Sequence, residues 1–320
     1  MALPQALEGK LRIPLIGAPM FIVSGPELVI AQCKAGIVGS FPALNARPQS
    51  ALDDWLVQIK DELGEYQQAH PEQFVAPYAV NQIAHASNRR LYDDMETCVK
   101  HEVPIIITSL RPPEDIVTAV HAYGGLVFHD VISLRHARKA IAQGVDGIIA
   151  VCAGAGGHAG PLSPFALVKE IRREFDGAVI LSGCITTGND IVAALALGAD
   201  LAYSGTRFIA TDEARAVPTY KEMVVASKAE DIAYSSLFTG VHGSYLKGSI
   251  VNAGLDPDNL PEGDKSHMDF SSSDIEAKAW RDIWGAGQGV GTIDEIQPAC
   301  DVVMRMEKEY RATLAKLSAR

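Results

Sequence analysis

Residues 178–208 read AVILSGCITTGNDIVAALALGADLAYSGTRF. Ala178–Ser182 is a short apolar run without alternation, the pattern of a strand buried on both faces. Gly183-Cys184 ends it, Asn189-Asp190 opens a helical pattern over Asp190–Leu197, and Gly198 follows the helix end. Leu201–Ser204 is then a second buried strand, closed by Gly205-Thr206-Arg207. A strand, a helix and a strand joined this closely form a βαβ unit with parallel strands.

The same unit recurs toward the N-terminus. Buried strands are expected at Leu15–Met20, Ile37–Phe41, Phe74–Asn81, Pro104–Ser109, Leu126–Val131 and Gly147–Val151. Helices are expected between them at Pro26–Lys34, Ala51–Leu63, Arg89–His101, Pro113–His121, Leu134–Gln143 and Pro164–Phe175, with Ser133 before one and Gly144 after it. Eight strands alternating with helices point to an α/β fold of the (β/α)8 barrel (TIM barrel) type. A doubly wound open sheet is the alternative, because alternation alone does not say whether a sheet closes.

After Arg207 the pattern changes. Ala214–Lys228 reads as helix, Tyr234–Val251 as a mixed apolar stretch, and Asn252–Ser273 as a loop rich in Pro, Asp, Gly and Ser. Helical pattern returns at Ser273–Ile283 and from Ile293 onward, where Val302, Met306, Tyr310 and Leu314 form an apolar stripe. The expected organisation is a barrel over residues 1–213, a helical and loop subdomain covering its mouth over 214–300, and a C-terminal helix over 301–320. The stripe is read as core, with a dimer contact as the other use for it, so monomer and homodimer both stand.

The chain has 320 residues, of which 48% are hydrophobic and 21% charged, an ordinary globular balance. Its net charge of −11 argues against nucleic acid as a partner, which would need a basic face. Five cysteines with no Cys-x-x-Cys pair suit free thiols in the cytoplasm rather than a disulfide framework. No apolar run is long enough for a membrane span or a signal peptide. His-Glu-x-x-His and paired metal-ligand spacings are missing, so no metal site is expected. Gly-x-Ser-x-Gly is missing as well, and Gly287-Gln288-Gly289-Val290-Gly291 follows no strand, which removes a nucleophile elbow and a dinucleotide fingerprint.

In a barrel the ligand lies where the strands end. Gly17-Ala18-Pro19-Met20 would let a ligand approach the main chain, and Asn81 offers an amide to a heterocycle edge. Ser182-Gly183 and Gly205-Thr206 can present backbone N–H groups to a phosphate, as the last two loops of barrels often do. The sharpest signal is Gly154-Ala155-Gly156-Gly157-His158-Ala159-Gly160, a backbone able to lie flat on a planar ring beneath an imidazole. Near its ordinary pKa of about 6.5, His158 is suited to moving a proton at neutral pH. His129 ends another strand, where facing the ligand and a structural role weigh about equally. His242 is read as surface loop and Cys184 as a small buried hydrophobe. His70, His85, His101, His121, His136 and His267 are read as solvated or structural.

The Gly17–Met20 turn, the Gly-Gly-His158-Ala-Gly loop, Ala193–Asp200 and Gly205-Thr206-Arg207-Phe208, with the late Trp284–Gln288, resemble the nitronate monooxygenase family. That family, formerly called 2-nitropropane dioxygenase, includes enoyl-ACP reductases and NADH:quinone reductases. The resemblance implies non-covalent FMN at the barrel mouth. Ala18, Pro19 and Met20 would then line the ring, Asn81, His129, Gly156 and Gly157 would meet the cofactor, and Ser182, Gly183, Gly205 and Thr206 would hold its phosphate. It also implies His158 as the base, and a nitronate or nitroalkane oxidised by O2 to a carbonyl compound and nitrite. NAD(P)H-dependent reduction of quinones or enoyl thioesters is the alternative, and a flavin-free phosphate-binding barrel a second one. Two departures bear on the substrate. The Gln-Gly-x-Glu-Ala of many members is Val151-Cys152-Ala153-Gly154-Ala155 here, and Asp130 stands where some quinone reductases carry lysine.

Overall fold

The computed structural model describes residues 3–111, 114–263 and 282–319. Its strands, in chain order, are β1 (Leu15–Gly17), β2 (Gly39–Pro42), β3 (Tyr78–Ala84), β4 (Ile105–Leu110), β5 (Leu126–Val131), β6 (Gly147–Val151), β7 (Gly157–His158), β8 (Ala178–Ser182), β9 (Leu201–Ser204), β10 (Ile232–Ser235) and β11 (Gly243–Leu246). Eight of them pair in parallel in the order β1-β9-β8-β6-β5-β4-β3-β2. The two ends of that order meet, since Ile16 bridges Val38. Gly17 N–H donates to the Val38 carbonyl at 2.7 Å, and Val38 N–H to the Leu15 carbonyl at 3.2 Å. The sheet is therefore a closed barrel, and the open-sheet alternative falls.

Each strand has two buried faces. Ala79, Ile105, Ile107, Phe128, Ile149, Ile180 and Leu201 fill the barrel, while Val80, Ile106, Val127, Ile148, Val179 and Ala202 meet the surrounding helices. That double burial is why these strands read as continuous apolar runs. β3 lies later than expected, at Tyr78–Ala84. Its Gln82 is tolerated in the strand because the side chain faces the helix layer and donates to Cys98 Sγ at 3.5 Å.

The helices are α1 (Pro26–Lys34), α2 (Ala51–Ala69), α3 (Leu91–Lys100), α4 (Glu114–His121), α5 (Leu134–Ile141), α6 (Pro164–Arg172), α7 (Gly188–Leu197), α8 (Thr206–Ile209), α9 (Pro218–Ala226), α10 (Lys247–Asn252) and α11 (Ala299–Ser318). Capping sets several starts. Ser133 Oγ accepts from the His136 N–H before α5. At α7 a capping box pairs Thr187 with Asp190, so the helix begins at Gly188 rather than Asp190.

β10 and β11 form an antiparallel hairpin to which β7 adds as the third strand. The part beyond Arg207 thus carries sheet as well as helix, which the mixed Tyr234–Val251 stretch concealed. Of the stripe on α11, Val302 and Met306 are buried and Tyr310 half-buried, whereas Leu314 is exposed. Most of the helix expected at Ser273–Ile283, the last ten residues of the loop expected at Asn252–Ser273, and His267 lie outside the described residues. Among the described residues no helix is long and apolar enough to cross a membrane.

α11 docks against the start of α7 through Gly188, where an added Cβ would collide with the main chain of Met306 and Tyr310. Gly188→Ala should cost about 1–3 kcal/mol by overpacking. Urea unfolding checks this, and an unchanged midpoint would show that α11 does not sit there.

Candidate active site

At the C-terminal ends of the barrel strands lies a cavity of about 800 Å³. Ala18, Pro19 and Met20 line it from the β1 loop, Asn81 from β3, and Gly156, Gly157 and His158 from the segment after β6. Ser182 and Gly183 reach it from β8, and Gly205 and Thr206 from the β9 end. The structure brings these candidates together and leaves His129 out. On β5 the side chains alternate, so Asp130 points into the cavity while His129 points into the helix layer, 2% exposed. His129 Nδ1 hydrogen-bonds Thr108 Oγ1 at 2.8 Å, and burial lowers its pKa to about 4. Its placement among the ligand-facing residues is corrected accordingly.

One end of the cavity is made of main chain. Gly183 has φ +137° and Cys184 φ +56°. The N–H groups of Gly183, Cys184, Gly205 and Thr206 donate to no acceptor among the described residues. Thr206 Oγ1 accepts from Gly287 N–H at 2.9 Å, which leaves its own proton to give. Cys184 is exposed on the cavity wall, contrary to the buried role expected of it, and its thiol donates to the Gly154 carbonyl at 3.6 Å.

The opposite wall is a polar row on β3, β4 and β5. Asn81 Nδ2 donates to Ser109 Oγ at 2.9 Å and to the Ile107 carbonyl at 3.2 Å. Ser109 O–H donates to Asp130 Oδ2 at 2.6 Å. Burial raises the Asp130 carboxyl to about 6, with the Ser109 bond pulling the other way. Its Oδ1 and the Tyr203 hydroxyl are buried without a hydrogen-bond partner among the described residues. Neither Arg207 nor Lys247 offsets that carboxyl. Arg207 is buried outside the cavity near Arg305, Asp294 and Glu295, and Lys247 pairs with Asp258 at 2.8 Å. Arg90 and His136 do line the cavity and were missed, because neither sits in a glycine-rich loop.

His158 hangs over the cavity on β7, held by pairing of Gly157 with Ser244 and of His158 with Gly243. Its Nε2 lies 2.8 Å from Thr239 Oγ1. Thr239 gives its own proton to the Val241 carbonyl at 3.1 Å, so it accepts from His158, which places the imidazole proton on Nε2 and the lone pair on Nδ1. Burial lowers the His158 pKa to about 4, below the ordinary value expected from sequence. The Thr239–Gly243 loop, read as plain surface, thus carries the group that orients His158. Tyr234 braces the same loop, stacking on His242 at 5.0 Å and donating to the Ala159 carbonyl at 2.8 Å.

The late Trp284–Gln288 segment crosses beside the glycine loop. Gln288 N–H donates to the Gly154 carbonyl at 2.9 Å, and Trp284 stacks on Tyr220 at 5.0 Å along the cavity wall. Residues 6–308 match the family model described as nitronate monooxygenase. The chain belongs to the nitronate monooxygenase family. Members of that family are flavin-dependent oxidoreductases. It is 29% identical to a putative monooxygenase of Mycobacterium tuberculosis over 73% of this chain and 66% of that protein, just under two thirds of its length. It is also 29% identical to a nitronate monooxygenase of Paraburkholderia phytofirmans, over 95% and 94% of the two chains. Nitroalkane oxidase from Streptomyces ansochromogenes has a similar fold, with TM-score 0.80 at 22% identity over 98% and 100% of the chains.

Native protein of this nitronate monooxygenase family member should expose two thiols, Cys184 and Cys300, to a thiol reagent, while Cys33, Cys98 and Cys152 react only on unfolding. Cys184→Ser should leave one. Two fast thiols remaining in that variant would place Cys184 off the cavity wall.

Proposed function

We propose that this enzyme holds FMN in the barrel-mouth cavity and uses it to oxidise alkyl nitronates with O2, giving a carbonyl compound and nitrite. The observation that carries the reading is His158, an imidazole of assigned tautomer hung over a cavity with free N–H groups on one wall and a polar row on the other. The residues suit that cofactor. Four uncommitted main-chain donors, at Gly183, Cys184, Gly205 and Thr206, match a phosphate dianion. Ala18, Pro19, Met20, Gly156 and Gly157 offer small or apolar surface to a planar ring, and Asn81 and Ser182 offer polar groups to its edge and side chain. Bound there, FMN would supply an acceptor for the substrate's electrons that O2 can reoxidise.

The protein's own part is proton handling and orientation. With a pKa of about 4, His158 stays neutral as pH falls through 6.5, so the ring is in its proton-accepting form across the neutral range. The same low pKa makes it a weak base. A nitronate, which has already lost its α-proton, is therefore the better substrate, and a neutral nitroalkane the slower one. Five unpaired cysteines suit work in the reducing cytoplasm.

One observation favours a second reading, NAD(P)H-dependent reduction of a quinone or enoyl thioester. Asp130 puts a carboxyl in the cavity wall, which disfavours a small anionic substrate directly beside it. Anaerobic mixing of the purified protein with propionate-3-nitronate or with NAD(P)H, followed by flavin absorbance, separates the two. The nitronate alone should change the spectrum and NAD(P)H should not. Bleaching by NAD(P)H with no response to nitronate would select the reductase, and a colourless protein would remove both. His158→Ala should lower kcat/KM for a neutral nitroalkane by about 10²–10⁴, and for the matching nitronate by much less. Equal losses on the two would remove His158 as a base.

A further inference from the structure

The polar wall contains a group that the oxidation does not use. Asp130 lines the cavity at the end of β5, its Oδ2 is held by Ser109 at 2.6 Å, and its Oδ1 is buried with no hydrogen-bond partner among the described residues. Asn81, Ser109 and Asp130 come from three adjacent strands and form one chain of hydrogen bonds, Asn81 to Ser109 and Ser109 to Asp130. Across the barrel, the Tyr203 hydroxyl of β9 is also buried without a partner among the described residues. Such a row is fixed by three strands and is not free to turn into solvent.

We infer that Asp130 sets how readily a flavin held in this cavity accepts electrons. The inference rests on the FMN reading above. Charge close to the ring system is one of the means by which a protein tunes a flavin. A carboxylate in a poorly solvated pocket opposes the arrival of further negative charge, and Coulomb interaction is strong where water is excluded. Once protonated, Asp130 stops opposing it and gains an O–H to donate. Reduction of the bound cofactor is thereby coupled to uptake of one proton from solvent by Asp130.

Asp130 is poised to titrate within the working pH range. Its carboxyl is raised to about 6 by burial. His158 is lowered to about 4, burial also lowers His136, and Tyr203 is raised well above 10. Arg90, which lines the cavity too, pairs with Asp94 at 3.0 Å.

The test is the midpoint potential of the flavin-loaded protein between pH 5 and 8, measured by equilibration with a redox dye, for wild type and Asp130→Asn. The variant's potential should exceed that of wild type above pH 6, and the gap should close toward pH 5. Where the wild-type curve is steepest, its reduction equilibrium should fall behind the variant's by about tenfold per pH unit, which is about 30 mV for a two-electron couple. Ser109→Ala is the second variant. Losing the donor raises the Asp130 pKa further, so the bend should move to higher pH. Identical potentials for wild type and Asp130→Asn, a gap independent of pH, or a bend unmoved in Ser109→Ala would overturn the inference. A protein that takes up no flavin would instead overturn the FMN reading on which it rests.

Discussion

The active-site end of this barrel depends on two stretches of main chain lying directly against each other. A Cβ at Gly156 would meet Gly287 N at 2.8 Å and Ala286 C at 3.0 Å, and one at Gly287 would meet Gly154 O at 2.6 Å. Glycine at these positions removes the side chains that would hold the segments apart, so Gln288 and Gly287 can donate to Gly154 and Thr206. That contact pins a segment from the far end of the chain onto the loop after β6. It brings Trp284 to the cavity wall and ties the β6 loop to the β9 end that Thr206 begins.

The second consequence is that His158 is positioned by sheet rather than by a free loop. Its strand is two residues long and would have no standing alone, but β11 pairs with it and β10 pairs with β11. Thr239, in the connection between those two strands, then orients the ring. Parts of the chain that are remote in sequence therefore decide the tautomer and the pKa of one imidazole. The polar row below it belongs wholly to the barrel, so the two walls are set by independent parts of the fold.

The barrel was legible because burial on both strand faces writes continuous apolar runs, as in Gly147–Val151 and Ala178–Ser182, which the structure reproduces to the residue. The site was legible where glycine clusters mark strand ends, at Gly156-Gly157 and Gly183. What stayed hidden depends on facing and on long-range pairing. His129 and Asp130 are adjacent in sequence, and only the strand's phase sends one to the helices and the other to the cavity. β7 cannot be read from Gly157-His158 alone, since its partner lies beyond residue 240. Ser109, Thr239 and Tyr203 carry no local signal, because their roles come from neighbours on other strands. Cys184 looks like a small buried residue until its place on the cavity wall is known.

On the proposed reading, the cavity is built for a flavin carrying a phosphate, held by the amides of Gly183, Cys184, Gly205 and Thr206. The most direct measurement is the affinity of the flavin-free protein for FMN against riboflavin, which keeps the ring and lacks the phosphate. Hydrogen bonds to a charged group contribute about 1.5–3 kcal/mol each, so loss of two or more should weaken binding at least about a hundredfold. FMN binding tightly and riboflavin more than a hundredfold more weakly is the result the account expects. Equal affinity for the two, or no binding of either, would contradict it.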